Sequence, residues 1–151
     1  MGTRQWQQKV EEAVNGYLLD THAWLWVQRG EIGSLSADLL YRLNDLQRQG
    51  KVYLSAISVL EIARMVASGH YDLGISVDRF VAEATEDEGF RLLPLSVRIL
   101  IDSTQLPGEI HRDPADRLLA ATARGHSLTL VTHDKELLAY ARRGHIQALK
   151  I

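Results

Sequence analysis

The stretch YLLDTHAWLW, residues 17–26, predicts a strand and a helix that meet at an acid. Its first three residues form a short apolar run, which is typical of a buried strand, and Asp20 ends that run. A helix is predicted from about Thr21 onward. The stretch LTLVTHD, residues 128–134, has a similar pattern, because an apolar strand is again followed closely by a carboxylate. Two predicted strands therefore present acids at or just beyond their carboxyl ends.

Strands alternate with helices along most of the remaining chain. Further strands are predicted at residues 52–54, 90–95 and 146–149, and helices at 36–49, 57–67, 77–88, 97–103, 113–124 and 134–142. This alternation predicts an α/β fold in which a central parallel sheet is covered by helices on both faces, a three-layer α/β/α sandwich. Ligands bind such sheets beyond the carboxyl ends of the strands, where the acids described above lie.

The first part of the chain differs from the rest. Residues 1–16 are polar, and Trp6 and Val10 fall at helical spacing, so we predict a short helical N-terminal extension. Residues 17–151 contain no repeat, low-complexity segment or Pro/Gly/Ser-rich linker. They are therefore predicted to form a single domain.

The composition restricts the possible functions. The 151 residues include no cysteine, which excludes disulfides, thiolate zinc sites and a cysteine nucleophile. No apolar run is long enough to span a bilayer, and the N-terminus lacks a signal-peptide core, so a cytoplasmic protein without a membrane partner is expected. The net charge of -2 argues against bulk electrostatic binding of nucleic acid, although bound metal ions supply local positive charge.

Most of the candidate site acids also have a purely structural interpretation at helix starts. Asp20 is a possible N-cap, and Asp113, followed by proline, matches a helix-start signal. Asp116 then falls in the first turn, where a carboxylate interacts favourably with the helix dipole. Either Thr132 or Asp134 is able to cap the last long helix, and the threonine hydroxyl is also able to orient a carboxylate.

Glu61 has no such capping explanation. It lies within a predicted helix, one turn from Ile57 and from Met65, so its side chain shares an apolar stripe. Glutamate is rarely buried without a partner. The structural alternative is an ion pair with Arg64, and Arg117 is a similar possible partner for the acids that precede it. If Glu61 does not pair with Arg64, the helix directs its carboxylate into a site shared with other acids.

Clustered carboxylates repel one another, and a divalent cation removes that conflict. Mg²⁺ and Mn²⁺ prefer oxygen ligands. The six histidines are scattered and form no H-x-x-x-H pair, so zinc is not expected. The acids therefore favour a site for Mg²⁺ or Mn²⁺.

Four segments together resemble the PIN-domain family, and within it the VapC-type toxins of bacterial toxin–antitoxin pairs. They are YLLDTHAWLW, SAISVLEIA, LPGEIHRDPADRLLAATA and LTLVTHD. The resemblance runs from about residue 17 to the C-terminus. It implies a PIN-like sandwich, Mg²⁺- or Mn²⁺-dependent endoribonuclease activity, a homodimer, and a small cognate antitoxin whose tail enters the active-site groove. The preceding residues depart from the family pattern, in which the first strand begins near the N-terminus.

The resemblance also implies the site residues. Asp20, Glu61, Asp116 and Asp134 match the family's four metal-site acids, and Thr132 matches the hydroxyl residue before the last acid. Hydrolysis of an RNA phosphodiester by a metal-activated water would then need no protein nucleophile. Two alternatives remain at this point: a flavodoxin-like receiver domain that uses Asp20, Thr132 and Lys135, and a degenerate PIN domain that binds a partner without cleaving RNA.

Overall fold

A five-stranded parallel sheet forms the centre of the computed structural model, which describes residues 15–31, 36–110 and 112–151. The strands are β1 (Tyr17–Leu19), β2 (Val52–Ser55), β3 (Arg91–Leu93), β4 (Thr129–Thr132) and β5 (Gln147–Lys150). Their spatial order is β3-β2-β1-β4-β5, so β1 is central and pairs with β2 and β4. Because the strands are parallel, β1 and β4 end at the same edge of the sheet.

Helices connect the strands. They are α1 (Thr21–Arg29), α2 (Ala37–Arg48), α3 (Ala56–Ala67), α4 (Val77–Thr85), α5 (Val97–Asp102), α6 (Pro114–His126) and α7 (Lys135–Arg142). Each of these helices follows a short polar residue whose side-chain oxygen accepts a hydrogen bond from a backbone N–H of the first turn. These N-cap residues are Asp20, Ser36, Ser55, Ser76, Ser96, Asp113 and Asp134.

The apolar side chains of β1 alternate between two core clusters. Tyr17 and Leu19 pack in a cluster that includes Trp24 of α1, whereas Leu18 packs in a cluster that includes Leu119 of α6. Successive side chains of a strand point to opposite faces, so both faces of the sheet are covered. The predicted three-layer α/β/α sandwich is confirmed.

The strand order contradicts the receiver-like alternative. Flavodoxin-like sheets have the order 2-1-3-4-5, in which the first and third strands are neighbours. Here β1 lies between β2 and β4, and β3 is at the edge. The receiver interpretation of Asp20, Thr132 and Lys135 therefore requires a sheet topology that this chain does not have.

Some predicted boundaries were wrong for identifiable reasons. The third strand ends at Leu93 because Pro94 has no N–H to continue the ladder. The helix predicted to reach residue 88 ends at Thr85, because Glu86 is extended and Asp87 has a positive φ of 49°. The predicted N-terminal helix lies largely outside the described residues, so it stays a prediction, as does the division of the chain at residue 17. No helix in the described ranges is long and apolar enough to cross a membrane.

Candidate metal and catalytic site

A cavity of about 610 Å³, which we call the carboxylate cavity, lies at the carboxyl ends of β1 and β4. All four predicted acids line it, together with two acids that were not predicted as site residues, Asp113 and Glu136. The complete lining is Asp20, Thr21, His22, Trp26, Glu61, Asp113, Asp116, Leu119, His133, Asp134, Lys135 and Glu136. Residues separated by more than 110 positions in the chain therefore share one concave, acidic surface.

Asp20 is a helix cap and a cavity residue at the same time. Its Oδ1 accepts the backbone N–H of Ala23 at 2.8 Å, which starts α1. Its Oδ2 accepts the hydroxyl of Thr132 at 2.6 Å. Only 8% of the residue is exposed. The capping and site interpretations are thus compatible, because each carboxylate oxygen has its own partner.

Thr132 connects the ends of β1 and β4. Its side chain is fully buried, and its Oγ1 also accepts the backbone N–H of Asp134 at 3.0 Å. Asp134, rather than Thr132, is the N-cap of α7, because its Oδ1 accepts the N–H groups of Glu136 and Leu137, each at 2.9 Å. Thr132 thus donates to Asp20 and does not cap α7.

Glu61 reaches the cavity from α3. Its Oε1 accepts the Thr21 hydroxyl at 2.5 Å, and the same hydroxyl is 2.9 Å from that of Ser58. A hydroxyl has one proton, so when Thr21 donates to Glu61, Ser58 is left to donate to Thr21. The alternative ion pair with Arg64 does not form among the described residues. Thr21 and Ser58 were not predicted as site residues, and their only local signal is the three-residue spacing of Ser58 and Glu61.

The start of α6 supplies two further acids. Asp113 is the N-cap, since its Oδ1 accepts the N–H groups of Ala115 at 2.9 Å and Asp116 at 3.1 Å. Asp116 lies in the first turn, as predicted, and is half-buried on the cavity wall. Arg117 was considered as a partner for these acids, but its Nε donates to the carbonyl of Ser103 at 2.9 Å.

Burial and neighbouring charges oppose ionisation of two of these acids. The pKa of Asp20 is raised mainly by burial and slightly by Asp134, although the hydrogen bonds from Thr132 and Ala23 act in the opposite direction. Burial also raises the pKa of Glu61, and the charges of Asp113 and Asp20 contribute. A cation in the cavity would remove this repulsion and favour the ionised forms.

The donor set fits a hard divalent cation. The four predicted acids offer only oxygen atoms, which Mg²⁺ and Mn²⁺ prefer. In the described ranges, no three acidic or histidine side chains are close enough together to hold a metal ion as they stand. The fit therefore rests on the chemistry of the donors and on the raised pKa values of Asp20 and Glu61.

Comparison with known proteins identifies the family of this chain. A family model described as PIN domain matches residues 17–143. Ribonuclease VapC22 of Mycobacterium tuberculosis is 28% identical to this chain over 124 residues, which are 82% of this chain and 90% of the relative. The matched segment includes all five predicted site residues.

Solved structures of toxin–antitoxin proteins share the fold. VapBC2 from Rickettsia felis, bound to a DNA fragment from its promoter, has a TM-score of 0.64 at 16% identity, covering 89% of this chain and 97% of that chain. A toxin–antitoxin complex from Klebsiella pneumoniae has a TM-score of 0.54 at 21% identity, covering 81% and 90%. At these identities, the likeness establishes the fold.

Proposed function

Since this chain belongs to the PIN-domain family, we propose that it is the endoribonuclease toxin of a toxin–antitoxin pair, with the carboxylate cavity as its Mg²⁺- or Mn²⁺-dependent active site. The observation that carries the proposal is the meeting of Asp20, Glu61, Asp116 and Asp134 around one cavity. VapC22, the curated relative, is itself named a ribonuclease. The alternative, a degenerate PIN domain that only binds a partner, has no need for this set of acids.

Asp20 and Asp116 are the proposed direct ligands of the cation, and Glu61 and Asp134 complete the ligand set or position water. When bound, such a cation neutralises the carboxylates, polarises the phosphodiester and acidifies the attacking water. Thr132 fixes the orientation of Asp20 through the contact with Oδ2. No protein nucleophile is needed.

Glu61 is suited to handle the proton of the attacking water. The Thr21 hydroxyl holds Oε1, which leaves Oε2 to accept a proton or to orient the water. Lys135, which is exposed at the start of α7 and lines the same cavity, supplies a positive charge for the RNA phosphate.

The test is cleavage of RNA by the purified protein with Mg²⁺, Mn²⁺ or a chelator. We expect metal-dependent cleavage that falls at least about 100-fold in Asp20→Asn, because loss of a ligand should cost no less than loss of an outer-shell partner. Glu83→Gln is the matched control, since it removes a carboxylate from an exposed ion pair with Arg79 on α4. Absence of cleavage by the unaltered protein, together with equal growth inhibition by Asp20→Asn, would favour the binding-module alternative.

The proposed protein partner is a small antitoxin that occupies the cavity and blocks RNA. Its support is the similarity in fold to the toxin–antitoxin complex from Klebsiella pneumoniae. We expect RNA and antitoxin to be encountered in the cytoplasm, in line with the expectation from sequence. Co-purification with the product of a neighbouring small reading frame, and loss of RNA cleavage in that complex, are the expected results.

We also propose a homodimer, formed through an apolar face on the side of α6. Leu60 of α3 and Val97, Leu100 and Ile101 of α5 are large apolar side chains that are 42–72% exposed. Both helices pack against α6. Exposed apolar patches often mark protein interfaces. Light scattering is expected to show a dimer that Val97→Glu converts to a monomer, and an unaltered protein that is monomeric would contradict the proposal.

A further inference from the structure

The indole of Trp26 lies beside two imidazole rings on the wall of the carboxylate cavity. The indole of Trp26 is 6.0 Å, centroid to centroid, from the imidazole of His22 and 6.0 Å from that of His133. The His133 ring meets the indole edge-on, at 75°. All three residues line the cavity that contains the acids, and both histidines are exposed. We refer to these three residues as the aromatic rim.

The aromatic rim is fixed relative to the acids. Trp26 follows Asp20, the cap of α1, by six residues, which corresponds to about 9 Å along a helix axis. His133 lies between Thr132 and Asp134. Its Nδ1 is 3.0 Å from the main-chain oxygen of Ile151, and since that oxygen only accepts, Nδ1 donates. The rings therefore lie on the same two segments that carry Asp20 and Asp134.

Core packing accounts for only one side of Trp26. Trp24, on the same helix, is fully buried, packs against Phe80 and bonds Gln28 through its indole N–H. Trp26, by contrast, is only partly buried: part of its ring packs beside the core, and part lines the cavity. An indole that is held by the core on one side and reaches an active-site cavity on the other is suited to stack on a flat ligand.

We propose that the aromatic rim stacks on one unpaired base of the RNA strand, next to the phosphate that the carboxylate cavity receives; this inference rests on the proposed function. Every base has a π-face, so stacking on Trp26 tolerates different sequences. A base within a duplex is already stacked on its neighbours, whereas loops and single strands offer splayed bases. The aromatic rim therefore selects single-stranded or looped RNA rather than a particular base.

The test is the affinity of a short, labelled, single-stranded RNA for the protein in the Asp20→Asn background, with Mg²⁺ present. We expect Trp26→Leu, which keeps an apolar side chain without a ring, to weaken binding about 5- to 100-fold. Trp26→Phe, which keeps a ring, should bind the RNA with nearly the same affinity as the parent Asp20→Asn protein. Tyr41→Ala is the matched control, because Tyr41 is a 72% exposed aromatic residue on α2 that does not line the cavity.

A second measurement changes the RNA and leaves Trp26 intact, so its main result does not depend on whether Trp26→Leu folds. In a series of RNAs, each with an abasic residue at a different position, one RNA should bind the Asp20→Asn protein more weakly than the others. The additional substitution Trp26→Leu should remove that difference. Equal affinities of the Leu, Phe and parent proteins, or no RNA binding at all, would overturn the inference. Unchanged RNA binding with loss of antitoxin binding would assign the rim to a protein partner and overturn it as well.

The two proposals fail separately. Metal-dependent cleavage by protein with an intact Asp20, together with RNA binding that is insensitive to Trp26, would refute only the stacking inference. Ring-dependent RNA binding without cleavage in Mg²⁺ or Mn²⁺ would refute only the proposed nuclease function.

Discussion

Replacing Thr132 by valine tests the connection between the two acid-bearing strands. Valine keeps the shape of this fully buried side chain but removes its hydroxyl. Asp20 Oδ2 then loses a 2.6 Å charge-assisted donor, and the backbone N–H of Asp134 loses its 3.0 Å acceptor. A hydrogen bond to a charged group contributes about 1.5–3 kcal/mol, and an unpaired buried donor costs about 1–3 kcal/mol. Since water in the cavity partly replaces the first partner, we expect Thr132→Val to lower the free energy of unfolding by about 3 kcal/mol.

The assay is thermal unfolding in chelator, with Thr132→Ser as the matched control. A loss of about 3 kcal/mol corresponds to a fall in Tm of about 6–12 °C for a chain of this length. Serine keeps both hydrogen bonds and removes one methyl group, so it should cost only about 1 kcal/mol, or about 2–4 °C. Without the hydroxyl, Asp20 is also less well positioned, and cleavage should fall about 10- to 100-fold.

The stability difference should also depend on pH. Thr132 favours the ionised form of Asp20, so its removal raises the pKa of that acid further. When the pKa of an acid is higher in the folded state than in the unfolded state, the folded protein loses stability as pH rises through the folded-state pKa. The gap between wild type and Thr132→Val should therefore widen with rising pH. Equal melting of the Val and Ser variants, or a gap that is constant with pH, would refute the proposed role of this hydroxyl.

Two further substitutions separate charge from structure. Glu61→Gln keeps an acceptor for the Thr21 hydroxyl but removes the carboxylate charge, so RNA cleavage should fall at least about 100-fold. Because burial disfavours that charge, Tm in chelator should stay equal or rise, with the largest rise at high pH. A large fall in Tm at neutral pH would contradict this. Lys135→Ala should raise KM about two- to fivefold and weaken its salt dependence, with kcat nearly unchanged. Lys135→Ala should not lower Tm, because a cation at a helix N-terminus is not favourable. An unchanged KM would exclude a contact between Lys135 and the phosphate.

The local chemistry of the sequence was enough to find the helix starts at the site. Short polar side chains before α1, α6 and α7 give a clear capping signal, and Asp20, Asp113 and Asp134 are all N-caps in the structure. Capping a helix and lining the site are not alternatives, because a carboxylate has two oxygens. Asp20 shows this directly: Oδ1 caps the helix and Oδ2 meets Thr132.

Contacts between distant segments could not be predicted from local pattern. The partner of Glu61 is Thr21, 40 positions away, and the contact depends on how α1 packs on α3. The aromatic rim requires β1 and β4 to be neighbours, since that pairing brings Trp26 to His133. Arg117 illustrates the opposite case, because a nearby carboxylate was expected as its partner and a carbonyl 14 positions away accepts its hydrogen bond instead.

Binding of Mn²⁺, followed by electron paramagnetic resonance of the free ion, tests most directly whether the carboxylate cavity is a metal site. Asp20→Asn and Asp116→Asn should each weaken binding about tenfold or more, whereas Glu83→Gln should not. These variants compare two cavity carboxylates with one in an exposed ion pair outside the cavity. The same Kd for Mn²⁺ in all four proteins, or no binding by wild type, would contradict the assignment of this cavity as a metal-dependent active site.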